Sequence, residues 1–178
     1  MTLSYYNSPE KLAALRIAAA QVVGTPFFAN SEAPGKAGGI DCVHGLNWIY
    51  RITGAIGPIA IPRQRMDHGQ HSKRSLLIEA FDTWPELTTR FACIWRAPAD
   101  TSSADLKPPT SDFLPGDALC FLAGHVPHHG GLLLESGDLL HVLKRDGAHT
   151  IQLTAVIRGW RILGHLAAVY RPLPLASP

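Results

Sequence analysis

The period of the hydrophobic pattern changes once along this chain, near residue 117, and that change constrains the fold more than any other feature. Before it, apolar residues recur at helical spacing. Ser8-Pro9-Glu10 reads as a helix start: a hydroxyl cap, a proline at the first position and an acid in the first turn. Leu12, Leu15, Ala19, Val22 and Val23 then supply one apolar face, and Gly24 ends the helix. Residues 29–39, rich in glycine and polar side chains, read as a loop. A second helix is predicted from Asp41 or Cys42 to about Thr53, with Leu46, Ile49 and Tyr50 inward, and a third over 72–82. Glu86 to Cys93 fits a helix or a strand. Residues 97–117, rich in Pro, Ser and Asp, read as an exposed loop.

After residue 117 the apolar segments become short. Ala118–Leu122, Gly130–Glu135, Leu139–Leu143 and Thr150–Val156 are separated by turn residues and read as successive antiparallel strands. The stretches at 135–138 (ESGD) and 145–147 (RDG) are hairpin turns. A last strand lies in the tail and is closed by Pro172. Helices first and strands second predict an α+β fold, N-terminal helices packed on a C-terminal antiparallel sheet, as one domain over residues 1–178.

The 178 residues suffice for one domain with a proper core. A formal charge of +2, with no basic block and no aromatic-basic interleaving, argues against a nucleic-acid partner. Lys73 and Arg74 read as part of a solvated face. No apolar run reaches the roughly 18 residues of a membrane span. The N-terminus shows no secretory signal, so synthesis in the cytoplasm is expected. Three unevenly spaced cysteines, Cys42, Cys93 and Cys120, fit neither a disulfide framework nor a thiolate zinc site.

Cys42 stands out. With Asp41 as the cap, it is the first helical residue. The unpaired amides and the dipole of that turn favour an anion, which would lower the thiol pKa. The same amides can donate to a developing oxyanion. Against this, most free cysteines are small buried hydrophobes. If Cys42 is activated, it should alkylate much faster than Cys93 and Cys120, which sit in apolar segments and are expected to be buried.

A nucleophilic cysteine wants a histidine base, and the base wants an orienting partner. Among nine histidines, His129 and His141 lie on consecutive predicted strands and can be cross-strand neighbours on one face. The competing reading is zinc, gathered by His125, His128, His129 and His141. No HExxH-type pattern accompanies them.

Five stretches in order, VVGTPFF (22–28), GGIDCVHGL (38–46), LPGDALCF (114–121), HGGLLLESGDLLHV (129–142) and LAAVYRP (166–172), resemble the NlpC-type cell-wall cysteine peptidases, a branch of the papain-like fold. The likeness runs from about Lys11 to Pro172. The closing segment resembles compact members encoded with phage tails or gene-transfer particles. The resemblance implies Cys42 as nucleophile, His129 as general base and His141 as the residue orienting His129. It implies substrate contacts by Asp41, at the peptide's free amine, and by the residue at Phe27. His128 is the competing base; strand alternation gives it the rim and substrate contact.

The implied reaction is hydrolysis of amide bonds in peptidoglycan stem peptides, with no metal or organic cofactor. The implied partners are that peptide and phage-tail or particle proteins that carry the enzyme to the cell wall. The alternatives are an acyltransferase or deamidase using the same Cys-His pair, and a non-catalytic tail component. Val43 and His44 replace the usual Ser-Gly, and Phe27 replaces the usual Tyr. These departures bear on which peptide is bound more than on the chemistry.

Overall fold

In the computed structural model, Ser8 caps the first helix, α1 (Pro9–Val22), its hydroxyl accepting from the Lys11 amide at 3.4 Å. Residues 3–63, 75–98, 108–123, 126–154, 156–157, 160–161 and 165–175 are described, without the side chains of 123, 126–128, 156–157 and 160–161. Lys73, Arg74, the start of the predicted third helix, His125 and residues 99–107 of the predicted loop lie outside this description. Gly24, at φ +83°, turns the chain out of α1. The loop that follows holds two short paired strands, β1 (Glu32–Ala33) and β2 (Gly39–Ile40). Then comes α2 (Cys42–Ile52), capped by Asp41 as the sequence predicts.

Ser75 caps α3 (Leu76–Thr83), the described part of the third helix. The ambiguous segment divides. Pro85 at a first helical position starts the single turn α4 (Pro85–Thr88), and Phe91–Arg96 becomes β3. The strand half is decided by its partner, since Phe91 pairs with Pro172.

The other strands are β4 (Ala118–Ala123), β5 (Val126–Leu133), β6 (Asp138–Leu143), β7 (Gly147–Gln152), the short β8 (Val156–Ile157) and β9 (Trp160–Arg161), and β10 (Leu166–Pro172). Strand β5 starts four residues earlier than the pattern suggests and β7 three, because backbone pairing continues past the apolar run. One antiparallel sheet has the order β3-β10-β4-β5-β6-β7, which confirms the α+β architecture.

Alternation divides the sheet's side chains between two cores. Ala118, Cys120, Leu132, Leu140, Val142, Ala148, Ala168 and Tyr170 pack with Leu15, Ala19, Leu46, Ile49, Leu77 and Phe81 of the helices. Leu119, Phe121, Leu133, Leu139, Leu166 and Val169 form a second cluster with Phe113 and Leu153. Helix α2 sits close on β5 because Gly130 has no side chain there. A Cβ at Gly130 would lie 2.8 Å from Leu46 Cδ1 and 3.3 Å from Leu77 Cδ2. Among the described residues no helix is long and apolar enough to cross a membrane.

Residues 108–117 are less exposed than a plain loop. Phe113 is buried, and Asp117 is fully buried in an ion pair with Arg171. Arg171 Nε donates to Asp117 Oδ1 at 2.9 Å, and its Nη2 donates to Asp117 Oδ2 at 2.8 Å and to the Asp112 carbonyl at 2.6 Å.

Candidate active site

Asp41 organises the start of α2. Oδ1 accepts from the amides of Val43, at 3.1 Å, and His44, at 2.9 Å. Oδ2 accepts from the Asn30 amide at 2.7 Å, and His44 Nδ1 lies 2.9 Å from both oxygens. These bonds hold the Asp41 carboxyl below its ordinary range against the opposing pull of burial, the largest single influence on it. Both oxygens are thus engaged by the protein: Asp41 caps the helix and clamps the loop at Asn30, and His44 braces it. Phe27 is half-buried, bridged to Ile40 and packed on the helix-side core.

Cys42 is the first residue of α2, as expected, but its thiol does not behave as position alone suggests. Burial raises its pKa to about 11, outweighing the amides of Gly130, Val43 and Cys42 itself, which pull it down. The nearby Asp41 charge pushes the same way as burial. Desolvation therefore wins over the helix start, and the resting side chain is a thiol. Cys120 is fully buried, and burial pushes its thiol far up. Cys93, expected to be buried, is exposed, because its strand β3 lies at the sheet edge and turns it outward. The labelling order follows: iodoacetamide at pH 8 should modify Cys93 first, Cys42 far more slowly and Cys120 not at all in the folded protein. Peptide mapping after timed quenching measures this. Faster labelling of Cys42 than of Cys93 would contradict the burial argument.

His129 and His141 come together. His129 Nε2 lies 3.1 Å from His141 Nδ1, with the ring centroids 5.3 Å apart. They are not directly opposite, however: His141 pairs with Gly131 and His129 with Phe121 of β4. His129 and His141 are thus diagonal neighbours on one face, which long side chains can span. The β4–β5 register shifts between Phe121 and Leu122, so Pro127 and His129 pair with adjacent residues of β4 and His128 is the extra residue of a bulge. The side chain of His128, the competing base, lies outside the description.

The Cys42 thiol lies against the backbone of β5, the strand that carries His129. Gly130 and Leu132 turn toward α2, whereas His129 lies beside Phe121 of the second core, ring centroids 6.0 Å apart. Cys42 faces the Gly130 amide, one residue from His129. Cys42, Gly130, Gly131 and His141 line one small cavity.

Sequence reasoning missed His149. It is the direct cross-strand partner of His141 on β7, with the two Nε2 atoms 2.9 Å apart. The signal was present: RDG marks a tight hairpin, and such a turn fixes which residues of β6 and β7 face each other. Among the described residues no group of three or more His, Cys, Asp or Glu is arranged to hold a metal ion.

Both inner imidazoles are held neutral. Burial lowers the His129 pKa to about 4 and the His141 pKa to about 3, with neighbouring histidines adding to the effect. An unfolded chain protonates these rings near the ordinary value of about 6.5. Between those limits the unfolded state binds more protons, so stability is complete above about pH 6.5 and is lost as pH falls toward 4 and 3. For His129 alone the loss is about 3 kcal/mol. Thermal unfolding at pH 7, 5 and 4 should show Tm falling through this window, and less steeply in His141→Asn. Equal Tm at pH 7 and pH 5 would rule the effect out.

The fold is of the NlpC/P60 type. The chain is similar to a lipoprotein-like NLP/P60 family protein from Staphylococcus aureus, with a TM-score of 0.54 and 17% identity over 97% of this chain and 45% of that one. It is also similar to NlpC1 from Trichomonas vaginalis, with a TM-score of 0.51 and 12% identity over 95% of this chain and 46% of that one. The chain thus spans less than half the length of either protein. No protein-family model matches the chain, and no curated protein matches its sequence.

Proposed function

We propose that this chain is a thiol hydrolase that cleaves amide bonds in peptidoglycan stem peptides, with Cys42 as nucleophile, His129 as base and His141 as its orienting partner. One observation carries the reading: the first residue of a capped helix lies against the strand that bears a hydrogen-bonded imidazole pair, on an NlpC/P60-type fold.

The resting groups are neutral, so the chemistry is general-base catalysis rather than a preformed ion pair. As the sulfur attacks the carbonyl carbon, its proton passes to His129. The Cys42 amide donates to the oxyanion, while Asp41 engages the amides of Val43 and His44. His129 then gives the proton to the leaving amine, and water hydrolyses the thioester. Asp41 positions the helix start and, as the resemblance implies, also faces the peptide's free amine. His128 and Phe27 contact substrate.

The test is mass spectrometry of purified murein peptides incubated with wild type and with Cys42→Ala. The expected result is a new amine and a new carboxylate end, mass increased by one water, with wild type only. Cleavage by Cys42→Ala would overturn the assignment. An acyltransferase would instead need an added acceptor amine.

The half-buried, protonated thiol favours a second reading, a non-catalytic domain that binds the same peptide. Co-sedimentation with murein without turnover would identify it.

A further inference from the structure

His149 extends the imidazole pair to three rings, and the bonds at its outer end carry a direction. His149 Nδ1 lies 3.1 Å from the Gly147 carbonyl, which can only accept, so Nδ1 carries a proton. In the neutral ring Nε2 is then a lone pair. It accepts from His141 Nε2–H at 2.9 Å. His141, held neutral, must therefore present Nδ1 as an acceptor, and it accepts from His129 Nε2–H at 3.1 Å. His129, also neutral, is left with its lone pair on Nδ1.

The anchor of this chain is rigid. Gly147 adopts φ +67°, and a Cβ there would lie 2.5 Å from the Thr25 carbonyl oxygen. The next residue, Ala148, is held on both sides by the turn after α1: its carbonyl accepts from the Gly24 amide at 2.8 Å, and its amide donates to the Thr25 carbonyl at 2.8 Å. The turn that ends α1 therefore aims the Gly147 carbonyl at His149.

We infer that His149 is a positioning residue that fixes the tautomers of His141 and His129, so that His129 offers an unprotonated Nδ1 as the proton acceptor. Its catalytic consequence rests on the hydrolase reading above; the tautomer order itself does not. His149 touches neither thiol nor substrate in this role. It acts through His141, as the outer member of a triad acts through the base it orients.

The experiment is two-bond proton–nitrogen correlation NMR of the full chain at neutral pH, on wild type, His149→Phe and His149→Gln. Wild type should show His129 and His141 each as a single Nε2–H tautomer. His149→Phe removes the acceptor for His141 and should leave both rings in mixed tautomers. His149→Gln should keep the wild-type pattern, because its carboxamide oxygen accepts from His141 and its NH2 donates to Gly147. If His149→Phe does not fold, His149→Thr takes its place. With a murein peptide, kcat of His149→Phe should fall about tenfold or more at unchanged KM and recover in His149→Gln. Wild-type tautomers retained in His149→Phe or His149→Thr would overturn the inference. A wild type that orders the tautomers yet hydrolyses no murein peptide would instead overturn the hydrolase reading and leave the positioning role standing.

Discussion

Cys42→Ala and His129→Ala should each abolish hydrolysis of a murein peptide, while His128→Ala should keep most of the turnover and change chiefly the apparent affinity. The first substitution removes the nucleophile. The second removes a proton transfer worth about 100-fold or more. The argument for His129 over its neighbour is the bond it makes. Its Nε2 is tied to His141, which in turn is tied to β7 through His149, and a base must be oriented to work. His128 is the extra residue of the β5 bulge, where the ladder to β4 slips. Steady-state rates of the three variants, with circular dichroism to check folding, decide the matter. If His128→Ala is inactive and His129→Ala active, the bulge residue is the base, and the three-ring chain is structural.

A loss of about 3–5 kcal/mol is expected when Arg171 is replaced by leucine. Asp117 and Arg171 are 0% and 2% exposed, and their bidentate contact is among the most enclosed polar interactions in the fold. Removing the guanidinium leaves a carboxylate in the interior with the Leu114 amide, at 2.8 Å, as its remaining donor among the described residues. It also frees the Asp112 carbonyl, which Arg171 binds at 2.6 Å. The double variant Asp117→Leu/Arg171→Leu should recover part of the loss, since it leaves no buried charge unpaired. Urea unfolding at pH 7 measures all three proteins. An Arg171→Leu variant within about 1 kcal/mol of wild type would show that the pair is dispensable. Through this pair the aspartate of LPGD ties the segment before β4 to β10, the strand beside it.

Much of the fold was legible because its signals are local. A serine followed by proline sets where α1 begins, and Asp41 sets where α2 begins, because a cap needs only its own side chain and the next few amides. Glycines with positive φ at 24, 137 and 147 mark the turns between elements for the same reason. The spacing of His129 and His141 about a short turn was enough to bring their rings together.

Other features depend on segments far apart in the chain. Position at a helix start argued for an activated Cys42, yet burial by the opposing sheet holds it as a thiol. Cys93 reads as apolar in FACIW, yet it is exposed because β3 pairs only with β10. Asp117 finds its counter-ion 54 residues away, and nothing in LPGD names it. His149 joins the imidazole chain only through the β6–β7 register. Helix starts, turns and the residue types that reach the site are written in short stretches, because backbone capping and side-chain period are local properties. Strand bounds, the desolvated groups and the rings that share hydrogen bonds follow from tertiary packing. Desolvation and cross-strand register are set by what a distant part of the chain lays against each residue.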